Sequence, residues 1–371
     1  MSNAETTFRR LLAKCGIEIN GANDWDLQVY RPEVYQRVLS GGSLAMGESY
    51  MDGWWDVACL DEFFTRVFEA RLEKNLRTNP RLLLQALRYR LFNMQSRRRA
   101  HIIGKRHYDV GNELYEHMLD PSMAYSCGYW RQAENLDQAQ HDKLDLICRK
   151  LGLEPGMKLL DIGSGWGSLL QFAARNHGVA ATGITVSRQQ LELARKRCQG
   201  LPVSINFQDY RQHQGQYDHI ASVGMAEHVG YKNYPVFMET AYQCLKPGGL
   251  FLLHTIGSNR SVRQTDPWIE KYIFPNSMLP SIQQLSRAAE PWFVLEDMHG
   301  FGPDYDPTLM AWYENFVAGW PEIKERYDKR FYRMWCYYLL ASAAAFRSRR
   351  IQLWQIVLGR APRRGSYTAV R

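Results

Sequence analysis

No stretch of the 371 residues carries the roughly 18 consecutive apolar side chains that a membrane-spanning helix needs. The longest candidate, Tyr337 to Phe346, is about half that length and rich in alanine. Nor is there a C-x-x-C pair: the seven cysteines, at 15, 59, 127, 148, 198, 244 and 336, are odd in number and widely spaced. That spacing excludes a zinc ribbon, and a chain of this length needs no disulfide framework. A reduced, cytoplasmic setting is expected. The start lacks an apolar run, so no secretory leader is expected, and Ser2-Asn3-Ala4 is set aside as a cloning remnant. Internal repeats and low-complexity tracts are also missing.

What is present has a globular apolar content, with 11 Trp, 21 Tyr and a net charge of +8. Such a charge arises from scattered surface lysine and arginine, or faces an anionic partner, either nucleic acid or a bilayer with acidic headgroups. The length allows one large domain or two ordinary ones.

The most informative stretch is Lys158-Leu159-Leu160-Asp161-Ile162-Gly163-Ser164-Gly165-Trp166-Gly167. A short apolar run breaks into three glycines at alternate positions, and an amphipathic segment, Ser168 to Asn176, follows. This predicts strand, tight turn, helix. The glycines let backbone approach a ligand where a Cβ would clash, and the helix start offers unpaired N–H groups. A dinucleotide site would have G-x-G-x-x-G spacing and a carboxylate about 20 residues on. Here the spacing is G-x-G-x-G, and the next strand, Val179 to Ile184, ends in Thr185-Val186-Ser187. Asp161, before the glycines, suits the sulfonium and amino groups of S-adenosylmethionine.

Strand-like segments recur at Val203–Phe207, Tyr217–Val223, Leu250–His254, Phe293–Asp297 and Gln352–Leu358, with helical stretches between most of them. That alternation predicts an α/β fold with a mostly parallel sheet covered on both faces, and ligands at the carboxyl ends of its strands. Asp161, Thr185, Asp209, Glu227 and His254 fall there. The hydroxyls of Thr185 and Ser187 and the amide of Gln190 can bond a ribose; Ser187 can also cap a helix. Gln208-Asp209-Tyr210 follows the third strand.

Residues before about 95 are expected to be mainly helical, with helices at Phe8–Cys15, Pro32–Leu39 and Leu60–Leu72 and a loop punctuated by Gly41, Gly42 and Gly47. Phe63, Phe64, Val67 and Phe68 form either a packed core or an aromatic surface for acyl chains. Arg81 to Arg99 has a Leu83, Leu87, Leu91, Met94 stripe flanked by arginines. It can lie on an anionic bilayer or pack its stripe on the domain. The stretch from His107 to Trp130 is polar, aromatic and short of regular periodicity, as in a lid over a cofactor.

Taken together, Gly47 to Trp55, His107 to Asn112, Tyr125 to Trp130, the glycine turn, Gly224 to Gly230, Leu252 to Gly257 and Thr308 to Tyr313 resemble the cyclopropane and mycolic acid synthases, a family of S-adenosylmethionine-dependent methyltransferases. The resemblance is to the bacterial two-domain type that acts on phospholipid acyl chains. It implies a Rossmann-like class I methyltransferase with a seven-stranded sheet. Residues 1–95 would be a lipid-interacting domain, 96–106 a linker and 107–371 the catalytic domain. It implies S-adenosylmethionine held by Tyr125, Ser126, Asp161, Gly163, Ser164, Gly165, Thr185, Ser187, Gln190, Gln208, Asp209 and Tyr210. It also implies bicarbonate as proton acceptor, in a pocket of Cys127, Glu227, His254, the main chain of Ile256, and Tyr305. Tyr272, Phe274, Trp312, Tyr313 and Phe316 are candidate acyl-tunnel aromatics. The partners implied are unsaturated phospholipids in an anionic bilayer, met peripherally from the cytoplasmic face, and a second copy in a homodimer. The rivals are a methyltransferase that branches lipids or alkylates a small molecule, a non-enzymatic binder of cofactor and lipid, and, on charge alone, a nucleic-acid methyltransferase; nucleic acid is not expected.

Overall fold

The computed structural model describes residues 2–71, 111–363 and 365–371. The expected basic helix at 81–99, the 96–106 linker and His107 to Val110 lie outside them.

The N-terminal residues form helices α1 (Asn3–Ala13), α2 (Val34–Met51) and α3 (Leu60–Glu69), with a two-strand antiparallel pair, β1 (Gln28–Val29) and β2 (Trp55–Asp56). Helix α1 begins five residues before the expected Phe8, because Ser2 Oγ accepts a hydrogen bond from the Glu5 N–H at 3.1 Å. The residues set aside as a remnant thus cap a helix, and Ala4 packs on the core. The expected glycine loop is also corrected. Gly42, at φ 59° and ψ −142°, interrupts α2 without ending it. Gly47 sits inside the helix for another reason: a Cβ there would collide with the Trp268 ring.

Helices α4 (Asn112–Met118) and α5 (Leu136–Leu151) lead into the main sheet; α4 corrects the expectation that 107–130 lacks regular structure. There follow β3 (Lys158–Ile162), α6 (Ser168–His177), β4 (Ala180–Thr185), α7 (Arg188–Arg197), β5 (Val203–Phe207) and β6 (Tyr217–Val223). Next come α8 (Ala226–Val229), α9 (Tyr234–Cys244), β7 (Leu245–Ser258), α10 (Pro267–Tyr272), α11 (Ile282–Ala289) and β8 (Val294–Gly300). Helices α12 (Tyr305–Ile323) and α13 (Lys329–Arg347) and strand β9 (Ile351–Gly359) complete the order. The sheet runs β5-β4-β3-β6-β7-β9-β8. Its first five strands are parallel, and β9 lies antiparallel between β7 and β8. Every strand that the alternation predicts is present. Strand β7 outruns the expected Leu250–His254, because pairing with β9 continues from Leu250↔Gly359 to Ser258↔Ile351.

Leu159, Leu160 and Ile162 are all buried because helices cover both faces of the sheet, with Asp161 a buried carboxylate among them. Strands β4 and β6 flank β3, so the crevice at its carboxyl end is the topological switch point.

The N-terminal helices share one core with α12 and α13: Trp55, Phe63 and Phe64 bury against Trp335, Tyr337 and Leu339. A seam of ion pairs follows this contact. Its acids, Glu48, Asp52, Asp56 and Asp61, come from the N-terminal residues; its bases, Lys271, Arg330, Arg333 and Arg347, come from the catalytic part. Arg347 also takes both oxygens of Asp306, at 2.8 and 2.9 Å. Removing Arg347 leaves two half-buried carboxylates without it. Arg347→Ala should cost about 2 kcal/mol, read as a lower urea midpoint with an unchanged slope.

Candidate active site

Three strand ends and one loop build the first cavity. Gly163, Gly165 and Gly167 all have positive φ, at 92°, 53° and 84°, so the turn after β3 takes a path that a side chain would strain. Gly183 on β4 packs under the turn, where a Cβ would meet Ser164 Oγ at 2.7 Å. The resulting cavity is lined by Tyr125, Ser126, Asp161, Gly163, Ser164, Gly165, Thr185, Ser187, Gln190, Gln208, Asp209 and Tyr210. All twelve residues expected to hold the cofactor therefore meet around one space.

Their bonds define what each can still offer. Ser187 caps α7 through the Gln190 N–H at 3.3 Å while lining the cavity, and Thr185 Oγ1 donates to Gln190 Oε1 at 3.1 Å. Both readings of Ser187 hold. Asp209 is held by Arg211, Nε to Oδ1 at 2.9 Å and Nη2 to Oδ2 at 2.6 Å, so a ligand would meet an already paired carboxylate. Asp161 is buried and its Oδ1 has no partner. Burial pushes its pKa up to about 7, and Lys143 nearby opposes the shift.

A second cavity, of about 1210 Å³, opens off the first and shares Tyr125, Ser126, Gly224 and His228 with it. Glu227, His254, Ile256 and Tyr305 line it beside that junction. Beyond them the walls are apolar: Trp268, Phe274, Leu309, Tyr337, Tyr338 and Phe346 from the catalytic part, and Phe8, Leu12, Met46, Phe63, Phe64 and Phe68 from the N-terminal helices. Phe63 and Phe64 are thus both core and cavity wall. Of the five aromatics expected to line a tunnel, Phe274 does. Tyr272, Trp312, Tyr313 and Phe316 are not in the lining; Trp312 and Phe316 pack into the core around α12 instead.

Glu227 lies on α8, just past β6, and His254 within β7, opposite Val223. The Ile256 N–H donates to Glu227 Oε1 at 2.6 Å, so that main-chain group is spent on Glu227 itself. Glu227 Oε2 and His254 Nε2 are both buried and have no partner. Desolvation raises the Glu227 pKa to about 7, against three hydrogen bonds that lower it. It holds His254 well below its ordinary value, helped by Lys143 and Lys150, so the ring is neutral. Gln355 Nε2 donates to His254 Nδ1 at 3.2 Å, which leaves the ring proton on the buried Nε2. Glu227, protonated below about pH 7, and the neutral His254 ring therefore bring two buried polar atoms without a partner to one cavity lining. That set fits bicarbonate.

Cys127 does not line either cavity. Its thiol is fully buried, donates to Gly128 O at 3.1 Å and is 4.0 Å from Thr308 Oγ1; burial raises its pKa well above the ordinary value. Lys143, Arg211 and His228 also line the first cavity and are not among the residues expected there. For Lys143 a signal existed: it shares the buried face of α5 with Leu136, Ala139, Gln140 and Ile147, where a lysine is out of place.

Residues 95–356 match the family described as Mycolic acid cyclopropane synthetase. Cyclopropane-fatty-acyl-phospholipid synthase of Escherichia coli K12 is 54% identical over 355 residues, 96% of this chain and 93% of that one. Tuberculostearic acid methyltransferase UfaA1 of Mycobacterium tuberculosis is 33% identical over 354 residues, 90% of this chain and 82% of its own. Among solved structures, mycolic acid cyclopropane synthase CmaA1 complexed with SAH and CTAB superposes with a TM-score of 0.65 at 29% identity, covering 70% of this chain and 98% of that one. With its seven-stranded sheet, its glycine turn and these matches, the chain belongs to the mycolic acid cyclopropane synthetase family of S-adenosylmethionine-dependent methyltransferases.

Proposed function

We propose that this protein is a cyclopropane-fatty-acyl-phospholipid synthase, adding the methyl carbon of S-adenosylmethionine across a cis double bond of a phospholipid acyl chain. The observation that carries this reading is the junction itself. A cavity lined by every residue expected to hold the cofactor meets a larger one walled mainly by apolar side chains, and Glu227 and His254 line the second. S-Adenosylmethionine supplies an electrophilic methyl group. Attack by the alkene forms one C–C bond, breaks the S–CH₃ bond and leaves a cation on the chain; ring closure forms the second C–C bond and expels one proton. The products are the cyclopropane, S-adenosylhomocysteine and a proton.

The apolar walls hold the acyl chain and exclude water, which would otherwise trap the cation. Glu227 Oε2 and the His254 Nε2–H would hold the proton acceptor, bicarbonate in this reading, which would accept the expelled hydrogen ion. The Ile256 N–H fixes the Glu227 carboxyl, and the Gln355 amide sets the His254 tautomer. Tyr305, ringed by Phe346 at 4.4 Å and Trp312 at 6.0 Å, closes the wall of this pocket.

The reading extends to an anionic bilayer as the surface from which substrate comes. Arg263 and Arg350 line the polar end of the apolar cavity, and Asn259 ties their two segments together by bonding the carbonyls of Arg349 and Arg350. No described helix is long and apolar enough to cross a membrane, so docking would be peripheral. It extends also to a homodimer, for which the exposed Leu295 and Met298 on edge strand β8 offer apolar contacts.

The test uses vesicles of monounsaturated phospholipid, part of them anionic, and methyl-labelled S-adenosylmethionine. Label should enter the acyl chain with a mass gain of one CH₂ and loss of the olefinic proton signals, and the protein should sediment with the anionic vesicles. Retention of a double bond in a methyl-branched product would sink cyclopropanation in favour of branching. No transfer would sink the enzyme reading.

A further inference from the structure

Lys143 is a buried cation that the reaction above does not use. It lies buried on α5, 2% exposed, and it lines the same cavity as Asp161. Its Nζ is 2.9 Å from Ser126 Oγ. Asp161, across the same space, has an Oδ1 with no partner. A buried acid and a buried base line one cavity, yet the base bonds a hydroxyl and the acid's Oδ1 bonds nothing. Their charges act on each other, each opposing the other's burial shift. A buried charge without a partner is costly, and such a pair fits a ligand end that carries both charges.

The order of the strands says which end that is. Residues after β5 and β4, Gln208 to Tyr210 and Thr185 to Gln190, line one side of the cavity; the turn after β3, with Asp161, lines the next, and β6 and β7 carry the reaction residues beyond. A nucleoside over β5 and β4 places the amino-acid end of the cofactor over β3. We propose that Lys143, with Ser126, binds the α-carboxylate of that amino-acid end, while Asp161 faces its ammonium group. Lys143 is thereby a cofactor-anchoring residue. It makes the site select for an intact amino-acid tail, and rests on the reading of this cavity as the S-adenosylmethionine site.

The test is a calorimetric cycle with no turnover in it. S-Adenosylhomocysteine and its decarboxylated analogue are titrated into the native chain, Lys143→Met and Lys143→Arg. The native chain should bind the decarboxylated analogue about 10- to 100-fold more weakly. Lys143→Met should lose a similar factor toward S-adenosylhomocysteine while binding the analogue as the native chain does. Lys143→Arg, which keeps the charge, should recover part of the preference. Equal weakening of both ligands in Lys143→Met, or an unchanged preference for the carboxylate, would overturn the assignment, and the first of these patterns is what a misfolded site gives. Failure of the native chain to bind either ligand would instead overturn the reading of the cavity.

Discussion

Glu227→Gln should lower turnover by about 10²-fold, the low end of what a positioned acid–base group contributes, because this carboxyl holds the proton acceptor rather than taking the proton itself, while S-adenosylhomocysteine binds as before. The separation follows from position: Glu227 lines the apolar cavity and is not part of the cofactor lining. The amide keeps an Oε1 acceptor for the Ile256 N–H, so α8 and β7 stay in place. What it loses is the exchangeable carboxyl proton at the buried Oε2. The same variant should be more stable, and only at the higher pH. In the folded chain burial raises the Glu227 pKa from 4.5 to about 7. Between those values the folded state holds a proton that the unfolded state releases. Stability is therefore full below about pH 4.5 and declines as pH rises through 7, by roughly 3 kcal/mol for this group. A glutamine cannot ionise, so the thermal midpoint of Glu227→Gln should exceed that of the native chain at pH 8 and match it near pH 4.5. Native turnover would show that this carboxyl does not hold the proton acceptor, and a midpoint difference that does not grow with pH would show that it is not a buried acid.

The sheet was legible because a parallel strand covered on both faces writes itself as an apolar run. Leu159, Leu160 and Ile162, and Ile220, Ala221 and Val223, mark such strands, and the ends of these segments locate Asp161 and Glu227 to within a few residues. Features set by contacts distant in sequence were not legible. Gly47 reads as loop punctuation, yet it is glycine because Trp268 lies against it. Strand β7 runs on past His254 because β9 is there to pair with it. The aromatic run of α3 serves core and cavity together, a distinction that exists only once α13 packs across it. Lys143 was visible in principle as a charge on an apolar helix face. Its meaning came only when Ser126 and the glycine turn closed around it. The resemblance implies Cys127 in the anion pocket, whereas the thiol lines neither cavity and donates to Gly128 O.

The second large effect concerns the acyl chain. Ala341, Ser342 and Ala345 are small residues of α13 that line the apolar cavity between Tyr338 and Phe346. Small side chains facing a void of about 1210 Å³ leave room for a substrate rather than filling a core. A tryptophan at 345 would project into that room. Because the space already exists, the substitution avoids the 1–3 kcal/mol that overpacking a filled core costs, and the thermal midpoint should stay close to the native value. Ala344, fully buried and outside the lining, is the contrast: Ala344→Trp has no void to enter and should destabilise the fold. For Ala345→Trp, kcat/KM toward a long monounsaturated phospholipid should fall by at least about 100-fold, near 3 kcal/mol of transition-state binding. Affinity for S-adenosylhomocysteine should hold, since residue 345 does not touch the cofactor cavity. Shorter acyl chains, which need less of the cavity, should be hurt less. Undiminished turnover of the long-chain lipid by a folded Ala345→Trp would mean that the acyl chain reaches the junction by another route, and that the N-terminal helices wall off a space the substrate never enters.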